Sequence, residues 1–279
     1  MTPPRYFHGK VVLIAGASSG IGAELARQLG AAGARLAVAA RRSERLEQLA
    51  AQIAGAGGTP PLVLSCDVTR DGDVEHAVAR TLEHFGRLDV AIANAGFGVV
   101  GNFAQLALED YRRQFETNVF GVLRTLHAAL PAVRRARGRL VITGSVAGWC
   151  ATPGSSPYSM SKFALRALAD AITPELAMVG VKVTLISPGF IESEIRRVDN
   201  RGVLHGEAPE PIPSWLLVSR ERAARSILRA IARGRREAII TGHGKLFVAL
   251  QRLAPWIIRA AGRRMAAAGG GYREEAGTG

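Results

Sequence analysis

Short apolar runs rich in β-branched residues alternate along the chain with longer stretches whose apolar residues recur at helical spacing. The runs predict seven strands, at residues 10–15, 36–40, 62–66, 88–93, 140–143, 181–186 and 237–240. The stretches between them predict helices, one ending near residue 33 and others at residues 43–54, 71–85, 109–135 and 158–178. Alternating strand and helix units build a parallel sheet that helices cover on both faces.

A glycine-rich turn joins the first predicted strand to the first predicted helix. It reads Gly16-Ala17-Ser18-Ser19-Gly20-Ile21-Gly22. Glycines let the backbone approach a pyrophosphate, and the free N–H groups at a helix N-terminus attract negative charge. This order of strand, glycine turn and helix is typical of dinucleotide sites. The predicted fold class is therefore α/β: a Rossmann-like doubly wound seven-stranded parallel sheet with helices on both faces, plus a C-terminal helical extension.

Residues with special chemistry or conformation follow six of the predicted strands. They are Gly16, Arg41, Asp67, Asn94 with Ala95 and Gly96, Ser145, and Pro188 with Gly189. Turn chemistry explains any one of them, but it explains six together poorly. Because ligands of such sheets bind beyond the carboxyl ends of the strands, we expect these residues to border one site.

Tyr158 and Lys162 are four residues apart at the start of a predicted helix. Residues at this spacing lie on one face of a helix, so the phenol and the ammonium group should enter the same site. A free tyrosine has a pKa of about 10, and a nearby cation lowers it. The pair therefore predicts an acid/base group that works near neutral pH. Taken alone, the same spacing also fits a solvated helix face.

Taken together, these motifs resemble those of the short-chain dehydrogenase/reductase family over residues 8–245. The matching residues are Gly16, Gly20 and Gly22, Asp67, Asn94–Ala95–Gly96, Asn118, Ser145, Tyr158, Lys162, Pro188 and Gly189. Two positions depart from the family pattern. Ala15 stands where the family often has threonine, and Ser193 stands near the threonine that usually follows the proline–glycine pair.

The resemblance implies a catalytic tetrad. In it, Tyr158 exchanges a proton with the substrate oxygen, and Lys162 lowers the tyrosine pKa and holds the nicotinamide ribose. Ser145 orients the substrate, and Asn118 supports a water that relays protons through Lys162. A capped turn at Ser145 and a solvated helix position at Asn118 are the alternatives. The implied cofactor contacts are Gly16, Ser18, Ser19, Gly20, Ile21, Gly22, Arg41, Arg42, Asp67, Val68, Asn94, Ala95, Gly96, Tyr158, Lys162, Pro188, Gly189, Ile191 and Ser193.

The second predicted strand ends in Ala39 and Ala40, followed by Arg41 and Arg42. A site that prefers NAD usually has a carboxylate here for the ribose 2′-hydroxyl. An arginine instead pairs with a 2′-phosphate, so we expect Arg41 to bind that phosphate, and Ser18 could add a hydroxyl contact. NADP(H) is therefore the expected cofactor, with NAD(H) and a purely structural role for both arginines as the alternatives.

The expected activity is hydride transfer between the nicotinamide and a carbonyl or secondary alcohol. Apolar residues within 190–218, the predicted substrate loop, suggest a hydrophobic substrate, although core packing explains them equally well. An epimerase or dehydratase on this scaffold would have a different glycine spacing and a larger C-terminal domain. A regulator that binds NADP without turnover would usually lack the tyrosine or the lysine.

Composition excludes few function classes. The formal net charge is +13, and residues 191–279 contribute 16 basic and 9 acidic side chains to it. No nucleic-acid-binding signature accompanies this charge, so we expect no nucleic-acid partner. Cys66 and Cys150 have no metal-like spacing, which favours a reduced, cytoplasmic setting without a metal site. No signal-peptide core or run of about 18 apolar residues occurs. A homo-dimer or homo-tetramer is expected.

We assign residues 1–245 to one domain, 246–268 to an amphipathic extension and 269–279 to a flexible tail. In the extension, Leu246, Leu250, Leu253 and Ile257 form an apolar stripe beside basic residues, and Pro255 interrupts it. We expect a helical element whose apolar face is covered. The cover is the enzyme body, a second subunit or, alternatively, a membrane surface.

Overall fold

The computed structural model describes residues 5–194 and 212–268. The substrate loop predicted for residues 190–218 is therefore described only at its two ends. The predicted tail, residues 269–279, lies outside the described residues.

Seven parallel strands form one sheet in the order β3-β2-β1-β4-β5-β6-β7. They are β1 Val11–Ala15, β2 Arg35–Ala40, β3 Leu62–Ser65, β4 Val90–Ala93, β5 Arg139–Thr143, β6 Lys182–Ser187 and β7 Glu237–Ile239. The predicted seven-stranded parallel sheet is confirmed, with strand ends shifted by one or two residues. Because the strand order reverses between β1 and β4, a crevice opens between their carboxyl ends.

The helices that cover the sheet are α1 Gly20–Ala31, α2 Ser43–Gly55, α3 Asp73–Phe85, α4 Leu108–Phe115, α5 Gly121–Arg135, α6 Ser156–Ala177 and α7 Arg220–Ala232. The single regular helix predicted over residues 109–135 is wrong in its middle. A π-helical turn, Glu116–Phe120, separates α4 from α5. Apolar periodicity does not distinguish this wide turn from α-helix, because the apolar residues on either side keep facing the core.

Two apolar cores, one on each face of the sheet, explain why the strands are continuously hydrophobic. Along β1, Leu13 faces the core that α3, α5 and α6 cover. The next residue, Ile14, faces the core beneath α1, α2 and α7. Alternate residues of a strand point to opposite faces, so a strand buried on both sides is apolar throughout.

Two further helices follow β7: α8 Gly242–Leu253 and α9 Pro255–Ala268. The Thr241 side chain caps α8 by accepting a hydrogen bond from the N–H of Gly244 (3.2 Å). The helical segment thus begins four residues before the predicted boundary at residue 246. Pro255 opens the second helix, where its missing N–H costs nothing.

Candidate active site

The glycine turn after β1 lies against the turn after β4. Gly16 has a φ of +87°, and a Cβ atom there would lie 2.5 Å from the Cα of Ala95. A Cβ on Gly22 would overlap the carbonyl oxygen of Gly16. The Asn94 side chain donates to that same oxygen (2.8 Å) and fixes the turn. Only glycine fits at positions 16 and 22, because a side chain there would collide with Ala95 or with the Gly16 carbonyl.

The N-terminus of α1 points into the crevice from this turn. Ser19 precedes the helix in an extended conformation, and its side chain makes no capping bond. The first N–H groups of the helix, from Gly20, Ile21 and Gly22, therefore remain available to an anion.

The two arginines after β2 differ in position. Arg41 is exposed, whereas Arg42 folds back and donates to the hydroxyls of Ser18 and Ser19, both at 3.0 Å. Burial and the nearby Arg45 lower the pKa of Arg42, while Glu194 opposes that shift. Both arginines were predicted as cofactor contacts, with Arg41 as the phosphate partner; the structure brings Arg42 to the turn.

A cavity of about 260 Å³ opens beside Ser18 and Ser19, between the start of α1 and α2. Arg45 and Glu194 line it and form an ion pair at 2.7 Å. Arg45 is absent from the sequence-based prediction. It lies one helical turn beyond Arg42, and this spacing could have identified it.

Asp67 and Val68 follow β3 as predicted. The Asp67 carboxylate accepts from the N–H and the hydroxyl of Thr69, at 3.0 and 2.8 Å. Val68 is buried against Gly121, where a larger residue would collide with it. These contacts fix the edge of the crevice on the β3 side of the glycine turn.

Tyr158 and Lys162 lie on the same face of α6, one turn apart. The Lys162 ammonium lies 5.6 Å from the centre of the Tyr158 ring. It donates to the carbonyl oxygen of Thr143, at the end of β5 (2.9 Å). Burial lowers the pKa of Lys162 to about 8. Lys162 therefore does not lie on a solvated helix face, the alternative that the spacing had left open. With this pKa, its side chain can exchange a proton near neutral pH.

Asn118 is buried in the π-helical turn rather than solvated. Its side-chain oxygen accepts from the N–H of Phe97 (3.1 Å). Its amide nitrogen donates to the carbonyl oxygen of Phe97 (3.0 Å) and to the Ser161 hydroxyl (3.2 Å). Ser161 in turn donates to the carbonyl oxygen of Tyr158 (2.7 Å). Asn118 thus ties the loop after β4 to the helix that carries Tyr158. Sequence reasoning missed Ser161, although it adjoins Lys162.

Ser145 caps the short 3-10 turn Val146–Gly148 by accepting from the N–H of Ala147 (3.1 Å). The turn-capping alternative therefore describes a real contact. The hydroxyl hydrogen is still available to a second partner, because the cap uses only the oxygen.

The segment after β6 passes beside the same turn. The N–H of Val146 donates to the carbonyl oxygen of Pro188 (2.9 Å). Ile191 is buried and pairs with Val218 through a parallel β-bridge. Ser193 lies across the crevice, 3.5 Å from where a Cβ of Gly20 would be. The predicted residues 188–193 therefore reach from Ser145 to the N-terminus of α1.

His243 is a site residue that sequence reasoning missed. Its Nε2 atom accepts from the N–H of Phe190 (2.9 Å), and its ring stacks on the Phe190 ring at 5.3 Å. Burial lowers the pKa of His243, which favours the neutral ring that this bond requires. His243 follows β7, so the strand-end pattern that selected the other residues could have identified it.

In residues 5–194 and 212–268, no group of three or more His, Cys, Asp or Glu side chains could hold a metal ion. Cys66 and Cys150 are free and buried. Burial, with smaller effects from Asp73 and Asp67, raises the pKa of Cys66 to about 12. Neither thiol is placed as a nucleophile.

The fold and this crevice define a nucleotide-binding α/β oxidoreductase. A family model described as short chain dehydrogenase matches residues 10–203. The chain belongs to the short-chain dehydrogenase/reductase family, and its relatives support an enzyme that acts on CH–OH groups.

Relatives and solved structures agree with this membership. The chain is 42% identical over 192 residues to 11-beta-hydroxysteroid dehydrogenase 1A of Arabidopsis thaliana, a match that covers 67% of this chain and 54% of that protein. A short-chain dehydrogenase/reductase from Burkholderia phymatum in complex with NAD superimposes with a TM-score of 0.79 and 25% identity, covering 90% of this chain and 96% of that one. An alcohol dehydrogenase from Thermococcus sibiricus complexed with 5-hydroxy-NADP superimposes with a TM-score of 0.73 and 28% identity. The match covers 83% of this chain and 96% of that one.

Proposed function

We propose that the protein is an NADP(H)-dependent oxidoreductase that moves hydride between the nicotinamide and a carbonyl or secondary alcohol. The observation that carries the proposal is the buried Lys162 ammonium beside the Tyr158 ring, on the helix that faces the crevice. A buried cation is costly unless it has a task or a partner, and here the carbonyl oxygen of Thr143 accepts a hydrogen bond from it.

The residues around the glycine turn fit a dinucleotide. Gly16 and Gly22 pack so closely against Ala95 and the Gly16 carbonyl that no side chain could project from this turn, and the N-terminus of α1 has no side-chain cap. The Burkholderia and Thermococcus neighbours are complexed with NAD and 5-hydroxy-NADP, respectively. When bound, the cofactor supplies or accepts the hydride.

The chain's own residues handle the proton. In reduction, the Tyr158 hydroxyl gives its proton to the carbonyl oxygen; in oxidation, the phenolate takes the proton of the alcohol. Lys162 stabilises the phenolate by its charge, and the Ser145 hydroxyl donates to the substrate oxygen and orients it. Asn118 positions the helix through Ser161. Its part in a proton relay to Lys162 is carried over from the family resemblance.

The decisive variant for catalysis is Tyr158→Phe, which removes only the hydroxyl. Turnover of NADPH with ketones, aldehydes and quinones should fall by roughly 10²–10⁴-fold, because the proton donor is gone. Cofactor affinity, measured by fluorescence titration, should remain close to that of the parent protein. Near-parental turnover in this variant would contradict the proposal. A parent protein that binds NADPH but turns over no carbonyl compound would instead favour the alternative function, a regulator that binds NADP without turnover.

The preference for NADP(H) over NAD(H) rests on the pair Arg42 and Ser18. Positions 39 and 40 are alanines rather than carboxylates, and the Arg42 guanidinium is held at the glycine turn by its bond to Ser18, where it could hold a 2′-phosphate. A guanidinium pairs with phosphate through charge-assisted hydrogen bonds worth about 1.5–3 kcal/mol each. Glu194, 3.8 Å from Arg42, would have to yield to that phosphate.

Arg42→Ala should weaken NADPH binding by about 10–100-fold and leave NADH binding nearly unchanged. Arg41→Ala is the matched control, because it removes the same charge from the exposed neighbour. Calorimetric titration of both cofactors against the three proteins measures the difference. Equal affinities of the parent protein for NADPH and NADH would refute the cofactor proposal.

A hydrophobic substrate fits the surroundings of the crevice. Val100, Phe103 and Trp215 are exposed on the loops that lead to it. The Arabidopsis relative is named as a hydroxysteroid dehydrogenase. The carbonyl panel should therefore include steroid ketones beside small polar ones.

Assembly into a homo-dimer or homo-tetramer remains a prediction. Three exposed apolar side chains support it, because side chains of this size favour a covered surface: Leu108 on α4, Phe120 at the end of the π-helical turn and Phe163 on α6. Sedimentation velocity over a range of protein concentrations measures the assembly directly.

A further inference from the structure

The orientation of α8 is fixed by its inner face. Val248 is buried against Trp149 and Cys150. Two guanidinium groups lie over the Trp149 ring, that of Arg166 at 3.3 Å from the ring centre and that of Arg252 at 4.2 Å. The apolar residues on the other side of the helix therefore cannot turn toward the body.

Several large apolar side chains of α8 and α9 lie in solvent. Leu253 is 86% exposed and Trp256 is 66% exposed, and Leu246 and Met265 are more than half exposed. The predicted stripe is thus covered only in part, and the most deeply buried apolar residue of α8 is Val248, which the stripe omits. We define Leu246, Leu253 and Trp256, with the exposed Arg259 and Arg263, as the outer face. Arg252 belongs to the inner face, because its guanidinium lies on the Trp149 ring.

The charge of this segment has a single sign. Residues 242–268 contain Lys245, Arg252, Arg259, Arg263 and Arg264 and no aspartate or glutamate. Arg259, Arg263 and Arg264 are exposed. The ion pairs within the described part of the chain involve none of these five basic residues.

We propose that the outer face of α8 and α9 docks on the surface of a membrane that contains anionic lipid. Exposed tryptophan and leucine interspersed with arginine, without carboxylates, is the composition of helices that lie in the lipid headgroup region. Among the described residues no helix is long and apolar enough to cross a membrane, so the contact is with the surface. Each basic residue near such a surface adds about fivefold to the affinity.

A second copy of the chain fits this face less well. A two-fold contact brings a patch against itself, so the arginines of one copy would face those of the other without a carboxylate to pair with. Lipid phosphates supply the missing negative charge.

The docked face adjoins the mouth of the crevice. Gly262 of α9 lies against Pro153, where a Cβ would be 3.9 Å from the proline ring. Gly154 accepts a hydrogen bond from the N–H of Gly101, in the loop that exposes Val100 and Phe103 (2.8 Å). Docking would bring this apolar rim to the lipid and give the crevice access to membrane-dissolved substrates. That last clause rests on the proposed function, whereas the docking itself does not.

The test is co-sedimentation of the full-length protein with sucrose-loaded vesicles, in the absence of cofactor and substrate. Vesicles of equal parts phosphatidylcholine and phosphatidylglycerol should bind the protein, and pure phosphatidylcholine vesicles should bind it at least tenfold more weakly. Molar salt should release it, because exposed charges are then screened. This readout needs no turnover, so a failed docking proposal and a failed enzyme assignment remain distinguishable.

Matched variants locate the contact. Arg259→Gln with Arg263→Gln should weaken vesicle binding about tenfold or more, whereas Arg134→Gln with Arg135→Gln, which removes equal charge from the end of α5, should leave it within about twofold. Trp256→Ser should weaken binding, and Met178→Ser, at another exposed apolar position, should not. Equal losses in the α9 and α5 variants would show nonspecific attraction and overturn the proposal. Failure to bind anionic vesicles, or self-association that Trp256→Ser abolishes, would overturn it too.

Discussion

At the scale of single residues, the crevice is dominated by one buried cation. Lys162 is charged over most of the neutral range, yet its ammonium has a pKa of about 8 because burial disfavours the charged form. The reference value is 10.5, and the gap corresponds to roughly 3 kcal/mol. Holding Lys162 in place for the tyrosine therefore opposes the stability of the protein when no ligand is bound.

Replacing this lysine should stabilise the ligand-free protein. We expect Lys162→Met to raise the free energy of unfolding at pH 7 by about 1–3 kcal/mol, after allowance for the lost bond to Thr143. The same change should abolish turnover. Urea unfolding of the variant and its parent measures the difference, with exposed Lys182→Met as the control for lost charge.

The effect should depend on pH with a defined sign. The free-energy cost of burying the charged Lys162 ammonium is complete below about pH 8 and disappears above pH 10.5. The reason is that Lys162 loses its proton at a lower pH in the folded chain than in the unfolded chain. The parent protein therefore gains stability relative to Lys162→Met as the pH rises through this window. A stability difference that stays constant from pH 7 to pH 10 would contradict the burial of the charged amine.

At the scale of elements, the two ends of the sheet have different tasks. The carboxyl ends of the strands border the crevice. At the amino ends, hydrogen bonds to Asp89 hold neighbouring strands together. The Asp89 carboxylate accepts from the N–H of Val11 (3.0 Å), from Lys10 (3.1 Å) and from Arg87 (2.6 Å). The backbone carbonyl oxygen of Asp89 accepts a hydrogen bond from the N–H of Arg139 (2.9 Å). One residue thus joins β1, β4 and β5, the strands that border or adjoin the crevice.

Removing the charge of Asp89 should loosen these three strands. Burial by itself would raise the pKa of Asp89, but the hydrogen bonds from Arg87, Val11 and Lys10 outweigh it and hold the pKa below its ordinary value. Asp89→Asn should therefore lower the unfolding free energy at pH 7 by about 2–4 kcal/mol. Asp170→Asn, which breaks an exposed ion pair with Arg236, should cost less than about 1 kcal/mol.

The unfolding free energy at acid pH provides a second test of Asp89. A depressed pKa contributes stability above the unfolded value of 3.8, and that contribution is lost as the pH falls through the folded value. The gap between the parent protein and Asp89→Asn should close below about pH 4. A gap that is as large at pH 3 as at pH 7 would show that the ionised carboxylate is not what holds the strands.

At the scale of the whole molecule, the C-terminal helices have unequal roles. The inner face of α8 closes the core cluster of Trp149, Cys150 and Val248, and His243 at its start holds Phe190 beside the crevice. By contrast, α9 has no residue in the described core clusters. Its packing is against α8 and the loop at Pro153.

Two truncations separate these roles. Removing residues 255–279 should change the unfolding free energy by less than about 1 kcal/mol, because few apolar contacts are lost. Removing residues 242–279 should cost at least about 3 kcal/mol, because Trp149 and its neighbours become exposed. Thermal unfolding followed by circular dichroism compares both with the full chain. Equal stability of the two truncated proteins would show that α8 contributes nothing to the fold.

The sequence by itself determined the parallel sheet, the glycine turn and the Tyr158–Lys162 pair. Each of these depends on residues that are close together in the chain: continuous apolar runs for the buried strands, glycines at fixed spacing for the turn, and a four-residue spacing for the pair. The tertiary structure decided the rest. It brought Arg42 rather than Arg41 to the glycine turn, because the backbone conformation after β2 decides which way each of the two side chains points. It placed Asn118 in a π-helical turn, recruited Ser161 and His243, and buried Val248 instead of the predicted stripe, because contacts between distant segments leave no period in the sequence.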